Sequence, residues 1–224
     1  MKKVFTPIYQ LIHPAPTTLV TKIKCIKENN EIILEDTPFY AQGGGQPSDT
    51  GVIEGSDGAF LKVEQVKWVE DEIVHYCEAE KGGGLEMGEV KCKVDEEKRA
   101  WHCRIHSAGH LIDAAMEALS VPCTPSKAYH FPEGPYVEYQ SSAASEIEVK
   151  ALQQCIDKLI EEDLPIKMHW QGDSRLITIG QFKPTPCGGT HSLKTGELRG
   201  ASIKKVSMKK KGEGILLKVS YSIQ

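Results

Sequence analysis

One stripe of residues divides this chain into two kinds of sequence. After Asp95, the residues Trp101, Ile105, Ala108, Ile112, Ala115 and Leu119 recur at steps of four and three, the spacing of an amphipathic helix with one buried face. The preceding ninety residues carry few helix signals. Leu19 to Ile26 and Glu31 to Leu34 flank Glu28-Asn29-Asn30, a hairpin signal. Val52 to Glu54 and Phe60 to Val69 flank Ser56-Asp57-Gly58, and Ile73 to Ala79 follows Glu70-Asp71-Glu72. Short strands at this spacing predict a small β-barrel. Lys81-Gly82-Gly83-Gly84 marks the expected break, and one more strand, Glu89 to Val94, leads onward.

Asp95 reads as the N-cap of the first helix, with Glu96 and Glu97 where the helix dipole favours negative charge. Pro122 lies just past its end. A second helix is expected from Ser145, with Glu148 completing a capping box; Leu152, Ile156 and Leu159 form its apolar face and Pro165 stops it. Tyr136 to Tyr139, Leu176 to Ile179, Ala201 to Val206 and Ile215 to Tyr221 read as strands. The expected fold class is α+β: an N-terminal small β-barrel over residues 1–88, then two helices on an antiparallel sheet over residues 89–224.

Composition excludes several classes. No apolar run approaches the ~20 residues of a membrane helix, and Met1 to Pro7 lacks the apolar core of a secretory signal. Seven cysteines without paired spacing fit a reducing compartment, so a cytoplasmic protein is expected. Net charge is −4, which argues against a generally basic nucleic-acid binder. Lys204, Lys205, Lys209, Lys210 and Lys211 nevertheless crowd one stretch, and a local patch acts within a Debye length of ~8–10 Å. Such a cluster reads either as a solvated hairpin or as a phosphate grip.

The chemistry concentrates in two short segments. His106 and His110 are four apart on the first helix, so their rings leave the same face. Cys187-Gly188-Gly189-Thr190-His191 offers a thiolate and an imidazole, and its two glycines would permit the turn that brings them together. Three imidazoles and one thiolate form a borderline-soft donor set suited to one zinc ion per chain. No Glu follows His106, so the His-Glu-x-x-His metalloprotease pattern is absent. His102 reads as a surface histidine, with a spare ligand or a general base as the other readings. Four protein ligands would close a tetrahedral site; His106, His110 and Cys187 are the expected firm trio, with the distance to His191 left open.

Four segments resemble the editing domain of alanyl-tRNA synthetases and the free-standing AlaX-type alanyl-tRNA editing proteins. These are Thr37-Pro38-Phe39-Tyr40 running into Gly43-Gly44-Gly45-Gln46-Pro47-Ser48-Asp49-Thr50-Gly51; His106-Ser107-Ala108-Gly109-His110-Leu111; Tyr129-His130-Phe131-Pro132 with Gly134-Pro135-Tyr136-Val137; and Pro186 to His191. The resemblance spans most of the chain from about Leu34. Ala41-Gln42 stands where the family often shows Pro-Glu. What the resemblance implies is a stand-alone, trans-editing deacylase whose zinc-bearing domain hydrolyses Ser-tRNA(Ala), and Gly-tRNA(Ala) in some members, while sparing Ala-tRNA(Ala). Its partner would be the acceptor end of mischarged tRNA, with no membrane and no obligate protein partner. His106, His110, Gln46 and Thr190 are the expected catalytic-site residues, Gln46 and Thr190 being candidates to meet the serine hydroxyl. Gly43, Gly44 and Gly45 would let backbone approach substrate, and Lys204, Lys205, Lys209, Lys210 and Lys211 would grip acceptor phosphates. Three other readings stay open: an RNA-binding module with structural zinc and no catalysis, a metallohydrolase of small esters or amides, and editing of mischarged tRNA(Thr).

Overall fold

The protein is described by a computed structural model over residues 6–79, 84–141, 147–211 and 214–224. After a short helix, α1 (Ile8–Leu11), come six strands: β1 (Thr18–Ile26), β2 (Glu31–Leu34), β3 (Gly51–Gly55), β4 (Phe60–Val69), β5 (Glu72–Ala79) and β6 (Glu89–Val94). They close a barrel in the order β1-β2-β5-β4-β3-β6. Alternation fills it: Leu61, Val63 and Ile53 are buried, as are Ile32, Val66 and Cys92. The β1–β2 connection turns through Asn29 and Asn30, both at φ +57, a conformation asparagine tolerates better than most residues.

Further along lie α2 (Glu96–Ala118), β7 (Cys123–Tyr129), β8 (Tyr136–Ser141), α3 (Val149–Glu161), β9 (Ile166–Gln171), β10 (Ser174–Ile179), β11 (Thr185–Pro186), β12 (Ser202–Lys211) and β13 (Gly214–Ser222). Two antiparallel sheets result, β11-β10-β9 and β12-β13-β8-β7, so the fold is α+β as expected, with two sheets where one was anticipated. Asp95 caps α2, its carboxylate accepting the Lys98 N–H at 3.1 Å. Helix α3 begins at Val149, and its N-cap, Glu148, makes no side-chain cap bond. Ser145, expected to open that helix, lies outside the described residues, as do Lys81 to Gly83 of the expected break. Leu152, Ile156, Leu159 and Ile160 bury one face of α3, and Gln153 ties it to the β12 end, accepting the Ile203 N–H at 2.8 Å. No helix among the described residues is long and apolar enough to cross a membrane.

Two compact units emerge: Met1–Gly43 with Pro47–Trp101, and Gly44–Gln46 with His102–Gln224. The junction expected after residue 88 differs because β6 pairs with both β1 and β3 and closes the barrel. The glycine segment is divided too. Gly43 stays with the barrel, its carbonyl accepting the Tyr40 hydroxyl at 2.8 Å, while Gly44 to Gln46 belong to the second unit.

Two buried polar contacts organise the first unit. Asp49 is fully buried and paired with Arg99, which also donates to the Pro38 carbonyl at 2.7 Å, and the Tyr40 N–H donates to the same carboxylate at 2.6 Å. A charge buried this deeply needs its partner; removing one side of such a pair costs about 3–5 kcal/mol. His75, also fully buried, donates through Nδ1 to the Ile32 carbonyl at 2.9 Å and accepts the Thr37 hydroxyl at Nε2 at 2.8 Å. The Thr37 oxygen in turn accepts the Phe39 N–H. This chain of bonds requires neutral imidazole, and burial lowers its pKa from 6.5 to about 4.

Because the folded pKa lies below the unfolded one, the neutral ring's contribution is fully present above pH 6.5 and is lost as pH falls towards 4. The expected loss across that window is about 3 kcal/mol. Denaturant unfolding of wild type and His75→Gln at steps from pH 7 to pH 4 checks this. The variant should lose most of the slope, whatever its absolute stability; an unchanged slope would assign the acid sensitivity to other groups.

Candidate metal centre

Helix α2 is enclosed along its middle: Ile105, Ala108, Leu111, Ile112, Ala115 and Met116 are buried, and so is His106, 1% exposed. His106 therefore lies inside the second unit, while His110, one turn on, is partly buried, its side chain 12% exposed. Their rings stack at 5.1 Å between centroids, 19° apart. His191 stands 4.8 Å from the His106 ring and 5.2 Å from the His110 ring, and Cys187 Sγ is 3.2 Å from His106 Nε2. One donor atom from each of the four lies within 4.8 Å of the others.

Bonds of about 2.0–2.3 Å to a shared tetrahedral ion would set donors about 3.3–3.8 Å apart. Side-chain rotations closing about an ångström therefore suffice. His110 Nε2 is buried beside the Cys187 sulfur, and once deprotonated it would present a lone pair that a cation would satisfy. Donor type, count and spacing all fit a metal ion of the zinc class.

The surrounding bonds explain how these groups are held. Gln46, fully buried, accepts both His106 Nδ1–H at 2.6 Å and the Thr190 N–H at 3.1 Å, and it donates to the Thr190 hydroxyl at 2.8 Å. The Nδ1 proton leaves His106 Nε2 as the donor facing Cys187. His110 Nδ1 lies 3.4 Å from Asp113, whose other oxygen accepts the Tyr139 hydroxyl at 2.7 Å. Buried Arg175, on β10, donates to the carbonyls of Cys187 and Gly189 at 2.7 and 2.8 Å. The Gly189 N–H points at the sulfur, 3.4 Å away.

Electrostatics favour the ligand forms at two of the four. Burial raises the Cys187 thiol, but His110, the Gly189 N–H and Arg175 outweigh it and hold the pKa below the ordinary value. Burial, followed by neighbouring His130, His191 and His110, pushes His106 well down, keeping it neutral. Burial would lower His110 as well, yet Cys187 and Asp113 raise it to about 10, so an arriving cation displaces a proton there.

Gly189 has a reason that the sequence does not disclose. Neither Gly188 nor Gly189 is among the positive-φ residues, so a left-handed turn is not what the pair supplies. A side chain at Gly189 would collide with the His106 ring, with Cβ 2.5 Å from Nδ1 and 2.9 Å from Gln46 Oε1. Gly45, at φ +77, is equally constrained; its Cβ would sit 2.5 Å from the Ala128 carbonyl oxygen.

Gln46 and Thr190, candidates to meet a substrate hydroxyl, are bonded to one another and to the metal cluster. His102, expected at the surface, is 8% exposed and lies outside the four-residue cluster. His130, which sequence spacing leaves without a role, stacks its ring on His106 at 4.3 Å and 21°. It donates from Nδ1 to the Tyr221 hydroxyl at 2.6 Å, and that hydroxyl donates to the Ile105 carbonyl at 2.9 Å. Beside His110 opens a cavity of about 520 Å³, walled in part by Asp113, Glu117, Tyr139, Ile177 and Phe182. The five lysines fall on β12, at the edge of the four-stranded sheet.

Comparison with known proteins gives a consistent relationship. The family model described as tRNA synthetases class II (A) matches residues 5–98. The alanine–tRNA ligase of Bifidobacterium longum is 30% identical over 194 residues, covering 76% of this chain and 22% of the ligase. That of Ignicoccus hospitalis is 30% identical over 238 residues, covering 96% and 26%. That of Kocuria rhizophila is 29% identical over 211 residues, covering 84% and 23%. The chain thus spans about a quarter of the length of the curated relatives it matches.

Removing an outer partner of a metal ligand typically costs about 10–100-fold in affinity. Gln46→Ala should weaken binding by that order, and Gly189→Ala should do so by displacing His106. Gly134→Ala, where a Cβ meets nothing within 4 Å, should bind as wild type does. Zinc titration against a chromophoric chelator measures all three. Equal affinities throughout would show that these contacts do not hold the donors.

Proposed function

We propose that this chain, which is similar over most of its length to a part of alanine–tRNA ligases, is a zinc-dependent aminoacyl-tRNA deacylase of the alanyl-tRNA editing kind. Its substrate is mischarged tRNA(Ala), chiefly Ser-tRNA(Ala) and secondarily Gly-tRNA(Ala). The observation that carries this reading is the convergence of His106, His110, Cys187 and His191 within 4.8 Å. Relatives named alanine–tRNA ligase support the choice of tRNA(Ala) over tRNA(Thr).

The bond to be cut is an ester between an amino acid and the terminal ribose. Water adds to the carbonyl carbon, the carbon–oxygen bond to ribose breaks, and the ribose oxygen takes up a proton. Zinc in this donor set would supply a Lewis acid for that reaction. The chain's own residues do the positioning. Gln46 fixes the tautomer of His106, Arg175 holds the Cys187–His191 loop by its carbonyls, and the Tyr221–His130 pair braces the His106 ring. The cavity beside His110, about 520 Å³, is within the ~300–1,000 Å³ of small-molecule sites and would admit an aminoacyl group with its nucleoside.

A second reading follows from the same donor set. Three histidines and a cysteine complete a tetrahedral shell, which is how structural zinc is held, and the chain would then bind RNA without cutting it.

Serine release from Ser-tRNA(Ala) by wild type and Cys187→Ala, with zinc content measured in both, separates the two. Wild type with about one zinc per chain should deacylate Ser-tRNA(Ala) and spare Ala-tRNA(Ala). Cys187→Ala should lose at least about 100-fold in rate together with its zinc, the loss of a ligand costing at least as much as that of an outer partner. Fully loaded wild type that released no serine would leave the structural reading. Faster release from Ser-tRNA(Thr) would move the substrate to the threonine branch.

A further inference from the structure

The outer face of the four-stranded sheet carries a feature that hydrolysis does not use. Val137 and Tyr139 on β8, and Leu217, Val219 and Tyr221 on β13, are buried, so the alternate residues of both strands stand on the opposite face. Cross-strand register arranges these in rows. The first is Tyr129, Tyr136, Ser220 and Lys205; the second is Lys127, Glu138, Lys218 and Ser207; the third is Thr124, Gln140, Leu216 and Lys209. Among described side chains this face holds Lys127, Lys205, Lys209 and Lys218 against one acid, Glu138, on a chain whose net charge is −4.

Three half-buried aromatic rings complete the surface. Tyr129 stacks on Phe131 at 4.6 Å and 13°, and on Tyr136 at 5.6 Å and 19°. Lys218 Nζ sits 3.4 Å from the centre of the Tyr136 ring, and Lys127 Nζ 6.0 Å from it. Near-parallel rings flanked by ammonium groups offer stacking to bases and charge to the phosphates between them. Single-stranded nucleic acid is recognised by that pairing of chemistries. An acidic peptide would use the lysines and leave the ring faces idle.

We propose that this face, centred on Tyr129 and Tyr136 and bordered by Lys127, Lys205, Lys209 and Lys218, binds unpaired RNA. The strand is identified as the single-stranded acceptor end only by the deacylase reading above; the surface itself does not depend on catalysis. Tyr129 and Phe131 flank His130, whose ring lies against His106, so one tripeptide joins this surface to the metal centre. Period-two alternation also sorts the lysine cluster: Lys205 and Lys209 share the face with Lys218, whereas Lys210 pairs with Ile215 on the other parity and Lys204 falls in the register shift between Ile203 and Lys205.

Binding of a fluorescent, uncharged single-stranded RNA of about eight nucleotides tests this across a range of salt. One stacked base contributes about five-fold to more than a hundred-fold in affinity. Tyr129→Leu and Tyr136→Leu should each lose at least five-fold, while Tyr136→Phe retains binding. The double variant Lys127→Gln/Lys218→Gln should flatten the logarithmic salt slope by about 0.7 for each phosphate that is no longer neutralised. Lys91→Gln, on the barrel, should change neither. Undiminished binding in both leucine variants, or an oligoglutamate peptide competing as well as RNA, overturns the proposal. Because the RNA carries no amino acid, an inactive enzyme that still binds it refutes only the deacylase reading, and an active enzyme indifferent to these substitutions refutes only this surface.

Discussion

The side-chain amide of Gln46 is the group on which the metal centre turns. Its oxygen accepts hydrogen bonds from the His106 ring and the Thr190 backbone N–H, and its nitrogen donates to the Thr190 hydroxyl. The helix imidazole and the loop thiolate are 81 residues apart in sequence, and this amide addresses both segments from a third. Since Gln46 is fully buried, water does not stand in for a missing partner, and an unpaired group there costs about 1–3 kcal/mol. Arg175 performs the matching task from β10 through the loop carbonyls. Folding thus meets the cost of ordering the donors before any cation arrives.

Much of this architecture is legible in sequence because its signals are local. The barrel strands, α2 with its Asp95 cap, and β8, β10, β12 and β13 all follow from alternation, helical spacing or turn chemistry. Strand β7 escapes because Cys123 to Tyr129 contains Pro125 and has an exposed middle, without alternation. An edge strand tolerates both, but edge position is a property of the assembled sheet. Strand β9 does alternate, with Ile166, Met168 and Trp170 set against Lys167, His169 and Gln171, but only Ile166 is buried, and its partner β10 supplies the register.

The candidate site divides along the same line. Residue type and spacing point to the four donors, and the structure gathers them. How they are held is not marked by residue type and spacing: Gln46 and His130 reach His106 from distant segments, and Arg175 reaches the loop from the neighbouring strand β10. Gly189 shows the same limit. A tight turn is a local inference, whereas the collision with His106 is a tertiary one. His102 reads as a surface residue because a helical stripe marks one buried face, and α2 is enclosed on more sides than that.

The pairing of Asp49 with Arg99, together with the dual pairing of β6, bears on how the chain matures during synthesis. Strands β1 to β5 leave the ribosome first, with β1 and β3 lacking the neighbour that joins them and the Asp49 carboxylate lacking its guanidinium. Only after Val94 and Arg99 have emerged can the cylinder shut and that charge be neutralised. The nascent first unit therefore waits on the opening turn of α2, and a fragment ending at residue 88 would expose two open strand edges to other chains.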